Sequence, residues 1–418
     1  MRKPTSTRAF GVGRRENHDA SGFYGRFTPP HLSTDSDVAS HRAVDKVICG
    51  DARSMPEVPD RSVALVVTSP PYFAGKEYET SLGEGGVPAT YLDYLAMLED
   101  VFAECVRTLE PGGRIAVNVA NLGRRPYRSL SADVTAILQD KLRLLLRGEI
   151  LWQKARGSAG NCAWGSFQSP QNPVLRDLTE RIVVASKGRF DRALDARQRA
   201  AQGLPSQATL TRDHFMALTT DVWEFGPESA TRAGHPAPFP VELPERLIHL
   251  YTYRGDLVLD PFLGVGTTAV AAVRTGRHYA GYDTDPSYVE KAEARVAAST
   301  EAGVQQPEAA VKDVARELLA GWGFTDVRPG RQTTFQAVDS GGRTWLFELC
   351  GAFTSAKPGL RRIDNLYKAV GKAAVLHDRD PGAPVVLLTV DPPAIEIATG
   401  PDRPVRAVVN LLNPPVVL

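Results

Sequence analysis

A chain of 418 residues is too long for one ordinary domain and fits two or three, at roughly 100–200 residues each. Its 43% apolar content allows a sizeable core, and a net charge of +1 excludes a uniformly basic or acidic protein, so any nucleic-acid face must be a local cluster. Cys49, Cys105, Cys162 and Cys350 lack metal-ligand or disulfide-framework spacing, and no apolar run reaches signal-peptide or membrane-spanning length, so a reduced, cytoplasmic protein without a membrane partner is expected.

Residues 1–40 are rich in Arg, Gly, Ser, Thr and Pro without apolar periodicity, which predicts a flexible basic tail. Arg124, Arg125 and Arg128 form a second basic group, and Lys187, Arg189, Arg192, Arg197 and Arg199 a third. Together the three predict a phosphate-tracking face. From Asp45 the pattern is strand, turn, strand: Lys46 to Cys49, the Gly50-Asp51 turn, then Val63 to Val67 running into a Pro-Pro loop. Residues 73–90, glycine-rich and charged, predict a long mobile loop. Tyr91 to Leu109 carries Tyr94, Leu95, Leu98, Phe102 and Val106 at helical spacing; Pro111-Gly112-Gly113 is expected to end that helix, and Arg114 to Val119 to form the next strand.

A helix over Ser131–Leu145 and a strand over Gly148–Trp152 follow. Residues 156–225 are irregular apart from a strand at Arg181–Ala185, and are the expected place for target recognition. Alternation resumes with a helix at Leu243–Tyr251, a strand at 257–259, a helix at Thr267–Arg274, a strand at Tyr279–Asp283 and a helix at Tyr288–Ala298. Strands alternating with helices predict an α/β domain over 41–299, with a mostly parallel twisted sheet covered on both faces. Beyond a linker at Thr300–Pro307, a helix at 309–319, strands at 332–338 and 343–350, a helix at 360–376 and a strand at 385–390 predict a small second α/β domain over 308–418.

Two strand-end loops carry the chemistry. Thr68-Ser69-Pro70-Pro71-Tyr72 follows one apolar strand, and Asp260-Pro261-Phe262-Leu263-Gly264-Val265-Gly266-Thr267-Thr268 follows another. In an open α/β sheet ligands collect beyond the carboxyl ends of parallel strands, so both loops can face one crevice. The first loop is rigid: two successive prolines hold the Pro70 carbonyl in one direction, Ser69 adds a side-chain acceptor, and Tyr72 can stack on a planar base. An exocyclic base amine is a poor nucleophile because its lone pair is delocalised. Acceptors that draw its hydrogens, with a methyl donor held in line, would make it reactive. The second loop leads into a helix N-terminus, which suits close backbone approach to a cofactor. Asp283, ending the next strand, is placed for ribose hydroxyls, and Asp51 for an adenine amino group.

The order and wording of these pieces resemble the β group of DNA amino-methyltransferases, in which the catalytic half precedes the cofactor half. Gly50-Asp51-Ala52, Leu109-Glu110-Pro111-Gly112-Gly113, Trp152-Gln153-Lys154 and His235-Pro236-Ala237-Pro238-Phe239-Pro240 match as well, so the resemblance spans about residues 45–298. It implies a Rossmann-like fold, DNA as substrate, a base flipped from the duplex and S-adenosyl-L-methionine as methyl donor. Ser69, Pro70, Pro71 and Tyr72 would hold the target base. Asp51, Thr68, Pro238, Phe239, Asp260, Phe262, Gly264, Gly266, Thr267, Thr268 and Asp283 would surround the cofactor, with no metal. Serine at position 69 favours N4 of cytosine over N6 of adenine, and a cognate restriction endonuclease is an expected partner.

The C-terminal region lies outside the resemblance. Its helix–strand–strand–helix–strand order, with Asp339 and Glu348 on adjacent strands, loosely resembles a metal-dependent nuclease fold. Cys350 stands where that pattern needs lysine; Lys368 or Lys372 could substitute. A structural or DNA-contacting domain is favoured over a nuclease that would make the protein bifunctional.

Overall fold

The computed structural model describes residues 32–39, 44–73, 90–121, 127–154, 165–210, 212–227, 239–302, 308–351, 359–361, 363–390, 392–411 and 413–415. Most of the expected basic tail, the loop at 74–89, Arg124, Arg125, Cys162 and the segment His235–Pro238 lie outside them.

Two sheets organise the described residues. The first contains β1 (Lys46–Cys49), β2 (Val63–Thr68), β3 (Leu109–Val119), β4 (Leu145–Gln153), β5 (Thr179–Ser186), β6 (Val222–Glu224), β7 (Leu257–Asp260) and β8 (His278–Asp283), in the order β1-β8-β7-β2-β3-β5-β4-β6. All neighbours run parallel except β5, which is antiparallel to both β3 and β4. The central strand β2 reads VALVVT and is buried at every position, as expected of a β-branched run covered on both faces. Val63 and Val66 pack on one side with α1 (Tyr91–Thr108). Leu65 and Val67 pack on the other with α5 (Glu242–Tyr251) and α6 (Thr267–Arg274). A capping box between Thr90 and Asp93 starts α1 one residue before its apolar stripe begins. Between them lie α2 (Leu130–Ala136), which runs into a π-turn at Ile137–Lys141, and two short helices that the irregular composition had hidden, α3 (Ala196–Ala201) and α4 (Arg212–Leu218). α7 (Pro286–Ala302) closes the unit.

The Pro111-Gly112-Gly113 step is not a helix stop followed by a turn. α1 ends at Thr108, and β3 begins at once at Leu109. The step is an irregularity inside β3: Val63 pairs with Leu109 but Leu65 pairs with Arg114. Gly112 sits at φ +78°, and a Cβ there would lie 1.9 Å from the Asp191 carbonyl oxygen. Gly112→Ala is therefore expected to lower the urea midpoint by an amount worth at least about 2–3 kcal/mol, since both the backbone region and the contact forbid it.

The second sheet, order β13-β12-β11-β10-β9, is built by α8 (Glu308–Gly321), β9 (Thr325–Arg328), β10 (Phe335–Val338), β11 (Thr344–Cys350), α9 (Ile363–Arg379), β12 (Val385–Thr389) and β13 (Ala407–Asn410). β9 and β13 extend the expected order at its two edges. Asp339 and Glu348 do not form a pair. Phe335 stands opposite Phe347 and Val338 opposite Thr344, so Asp339 belongs to the hairpin turn and Glu348 to the opposite end. The Asp339 carboxylate accepts from the Gly341 and Arg343 amides and the Trp345 indole, which makes it a turn residue. Glu348 does accept from Lys372 Nζ at 2.6 Å, but its other oxygen takes the Thr334 amide.

Candidate active site

β2 and β7 are neighbours at the centre of the first sheet, yet the chain leaves β2 for a helix on one face and β7 for a helix on the other. A reversal of this kind is where open α/β sheets place a ligand crevice, beyond the carboxyl ends of the two strands. The two chemically loaded loops leave those two strand ends, although 192 positions separate Thr68 from Asp260 in sequence.

Asp260 joins them. Its carboxylate is 1% exposed and accepts from Thr68 Oγ1 at 2.7 Å, Thr268 Oγ1 at 2.6 Å and the Phe262 amide at 3.1 Å. Burial pushes the carboxyl up to about 6 despite these donors. Asp283 ties the next strand end to the same loop, accepting from the Gly264 amide at 2.8 Å and the Asp285 amide at 2.9 Å. It is only half-buried, and burial again raises its carboxyl. Gly266, at φ +83°, caps α6 without a side-chain hydrogen bond. A Cβ on Gly266 would lie 2.9 Å from Ala292 Cβ, so glycine is required there by α7 as well as by the backbone.

Other expected residues are arranged less simply. Asp51 reaches the same rim, because Cys49 is in register with Asp283 and the Gly50 amide donates to the Asp283 carbonyl. Its exposed carboxylate is held by Arg53 through Nε and Nη2, and this hydrogen bond keeps it below the usual carboxylate range. Thr267 is buried and meets Arg295 of α7 at 3.4 Å, so its hydroxyl is turned to the helix packing. Phe262 and Phe239 are half-buried on opposite cores. Pro238 lies outside the described residues.

The Ser69–Tyr72 loop is anchored at several points. Tyr94 of α1 donates to the Pro71 carbonyl at 2.6 Å. Phe73, at φ +51°, stacks on Tyr94 with ring centroids 5.3 Å apart. Ser69 Oγ lies 2.9 Å from Tyr72 Oη, which donates to Glu180 Oε2 at 3.2 Å. Asn118 Nδ2 donates to the same Glu180 oxygen at 2.5 Å and to Tyr72 Oη at 3.3 Å, and Lys154 Nζ donates to Glu180 Oε1 at 2.8 Å. Asn118 Oδ1 is buried without a partner among the described residues, a cost of about 1–3 kcal/mol that a bound donor or water would relieve.

Glu180 and Asn118 were not legible as site residues. Because β5 runs antiparallel, its first residues share the rim with the last residues of β2 and β3: Ile182 pairs with Asn118, and Trp152 with Glu180. A carboxylate opening an apolar strand is a signal only once that direction is known.

Lys187, Arg192 and Arg199, three of the five residues of the third basic group, are engaged inside the protein and not on a phosphate-tracking face, whereas Arg197 is exposed. Arg199 is buried and Arg192 nearly so against Glu110 and Asp256, with Arg199 Nη2 donating to Asp256 Oδ1 at 2.8 Å and Arg192 Nη1 to Asp256 Oδ2 at 3.0 Å. Lys187 Nζ donates to the Leu109 carbonyl at 2.7 Å, and burial pulls its pKa down to about 8. Arg128 is at the surface but is paired with Asp133.

A family model described as DNA methylase, of the N6 and N4 methyltransferase type, matches residues 63–294, more than half the chain. The chain belongs to this family of DNA amino-methyltransferases. S-adenosyl-L-methionine is the family's methyl donor and DNA its substrate. Type II methyltransferase M.MjaI of Methanocaldococcus jannaschii is 30% identical over 275 residues, covering 58% of this chain and 88% of that protein. DNA adenine methyltransferase YhdJ of Escherichia coli K12 is 27% identical over 255 residues, covering 58% of this chain and 79% of that protein. A solved putative DNA modification methylase from Thermus thermophilus, complexed with S-adenosyl-L-methionine, shares 30% identity over 62% of this methylase and 94% of its own chain, with a TM-score of 0.45. The family match ends before the second sheet begins. No helix among the described residues is long and apolar enough to cross a membrane.

Proposed function

We propose that this methylase transfers a methyl group to the N4 amine of cytosine at a specific DNA sequence, alongside a cognate restriction endonuclease. The observation that carries the choice of base is Ser69: a hydroxyl, not a carboxylate or amide, stands at the head of the Pro-Pro-Tyr loop, a form that goes with cytosine within the family pattern. The loop's geometry suits a flipped base. Tyr72 offers a ring to stack on, and the rigid Pro70-Pro71 backbone, pinned by Tyr94, keeps acceptors on one side of the amine. The amine nitrogen forms a bond to the methyl carbon while the carbon–sulfur bond breaks. Its electron pair stays on sulfur, and one amine proton is released.

The residues across the crevice fit S-adenosyl-L-methionine, which supplies an electrophilic methyl on a sulfonium. The half-buried Asp283 spends one hydrogen bond per oxygen on backbone amides, leaving acceptor capacity for two ribose hydroxyls. The α6 N-terminus at Gly266, without a side-chain cap, and the Asp260–Thr268 loop would face the methionine part together with Thr68, Phe262 and the segment at Pro238–Phe239. Asp51 would reach the adenine amino group once Arg53 moves aside.

Incubation with S-adenosyl-L-methionine and mixed-sequence DNA, followed by digestion and mass analysis of nucleosides, tests the reading. N4-methylcytosine is expected. N6-methyladenine would move the assignment to the adenine enzyme, and neither product would refute DNA methylation by this chain. Tyr72→Ala should lose transfer by about 100-fold while keeping cofactor affinity within a few-fold, since only base stacking and alignment are removed.

A further inference from the structure

We propose that Glu180 is a positioning residue that sets the direction of the hydroxyl chain Ser69–Tyr72–Glu180, so that Ser69 presents lone pairs and not a proton to the target amine. The inference rests on the reading of Ser69 as the residue facing that amine. It follows from counting hydrogens. A carboxylate facing the Lys154 ammonium accepts hydrogen bonds and donates none. The single phenolic proton of Tyr72 is therefore committed to Glu180 Oε2. Tyr72 Oη can then only accept from Ser69, so the 2.9 Å contact between them is a serine hydroxyl donating to a phenol. The single proton of Ser69 is thereby turned away from the loop mouth, and both of its lone pairs remain for an N–H donor. Asn118 reinforces the polarity by donating from one nitrogen to both Glu180 and Tyr72.

The physical gain is specific to a neutral residue at position 69. An aspartate there accepts whatever its surroundings, because it has no proton to misdirect. A serine hydroxyl can point either way, and pointing its proton at an amine that must lose hydrogens would oppose the reaction. A remote carboxylate removes that ambiguity. Lys154 pairs with the oxygen that Tyr72 does not use, which keeps the end of the chain an acceptor.

Glu180→Gln tests this directly. The amide places its oxygen toward Lys154 and its NH2 toward Tyr72 and Asn118, whose own amide must turn over so that its unpartnered Oδ1 accepts; Tyr72 then accepts from the NH2, which reverses the chain and turns the Ser69 proton outward. The expected result is a loss of kcat by about 100-fold. KM for DNA and for S-adenosyl-L-methionine should stay within about threefold, because on this proposal Glu180 acts through Tyr72 and Ser69 and not by binding either ligand. Tyr72→Phe keeps the ring for stacking but cuts the chain, leaving Ser69 free to rotate, and should cost about tenfold in kcat. In the Tyr72→Phe background the Glu180→Gln change should cost less than about twofold more, since its only route to the amine is gone.

Three results would overturn the proposal. One is unchanged kcat in Glu180→Gln while the wild-type protein methylates DNA. Another is the same fold-loss from Glu180→Gln with and without the Tyr72 hydroxyl, which would mean that Glu180 acts by another route. The third is full activity of Tyr72→Phe, a near-isosteric change that decides the matter even where Glu180→Gln does not fold. Absence of methylated nucleoside from the wild-type protein would instead refute the reading of Ser69 itself.

Discussion

Asp260→Ala is expected to lower affinity for S-adenosyl-L-methionine by at least about 100-fold while reducing stability by only about 0–3 kcal/mol. The two effects separate because of what the carboxylate does. Its loss leaves the hydroxyls of Thr68 and Thr268 and the Phe262 amide without their buried acceptor, at about 1–3 kcal/mol each if none relaxes. Against this, a buried carboxylate whose pKa has risen from 3.8 to about 6 is itself a burden at neutral pH, on the order of 3 kcal/mol. Folding is therefore close to balanced. Binding is not, because the same three donors belong to the two loops that form the crevice. Equilibrium dialysis with labelled cofactor, beside urea unfolding, separates the two quantities.

The pH dependence of Asp260→Asn gives an independent check. Between the unfolded value of 3.8 and the folded value of about 6 the native state binds more proton than the unfolded chain, so this group's contribution to stability rises as pH falls through 6 and is lost as pH rises above it. Asparagine does not titrate. The stability of wild type relative to Asp260→Asn should therefore grow by about 2–3 kcal/mol between pH 7 and pH 4. A difference that stays constant across that range would show that the carboxyl is not buried as described.

Glu110→Ala should produce the largest loss of stability, about 3–5 kcal/mol, read as a fall in urea midpoint with the slope unchanged. Glu110 and Asp256 are 2% and 1% exposed and share two guanidinium groups, those of Arg192 and Arg199. Removing Glu110 leaves two buried cations facing one carboxylate. Glu110→Gln retains an acceptor for Arg192 and should cost less, about 2–3 kcal/mol. Catalysis by the folded fraction should be little changed in both variants. The quartet fastens the β3 irregularity to the segment after β5 and to the turn before β7, and it includes no residue of the Ser69–Tyr72 or Asp260–Thr268 loops.

Much of the first sheet was legible. The helix at Thr267–Arg274 has its expected limits, and the strands at Lys46–Cys49 and around Val63–Val67 stand where their apolar runs put them. These segments have strong periodicity or continuous β-branched runs, and local pattern reports burial well when both faces are covered. Pro111-Gly112-Gly113 misled because proline and glycine punctuate equally well at a turn and at a bulge. Only the pairing with β2 distinguishes the two. Arg192 and Arg199 misled because a basic cluster in sequence looks the same whether it faces solvent or buried carboxylates; Glu110 and Asp256 reach them from distant parts of the chain. Asp339 failed as a partner of Glu348 because one register choice decides which ends of a hairpin meet.

Sequence by itself determined the chemistry of the two loops: a rigid Ser-Pro-Pro-Tyr strand end and a glycine-rich strand end leading to a helix are local properties, set by proline's fixed φ and glycine's freedom at positive φ. Tertiary structure alone decided what joins and orients them. Asp260 bonds Thr68 across the centre of the sheet because β2 and β7 are neighbours. Glu180 reaches Tyr72 because β5 runs opposite to its neighbours. A hydrogen-bond network depends on which strand ends share a rim and in which direction each strand runs, and those are properties of the assembled sheet rather than of any one segment.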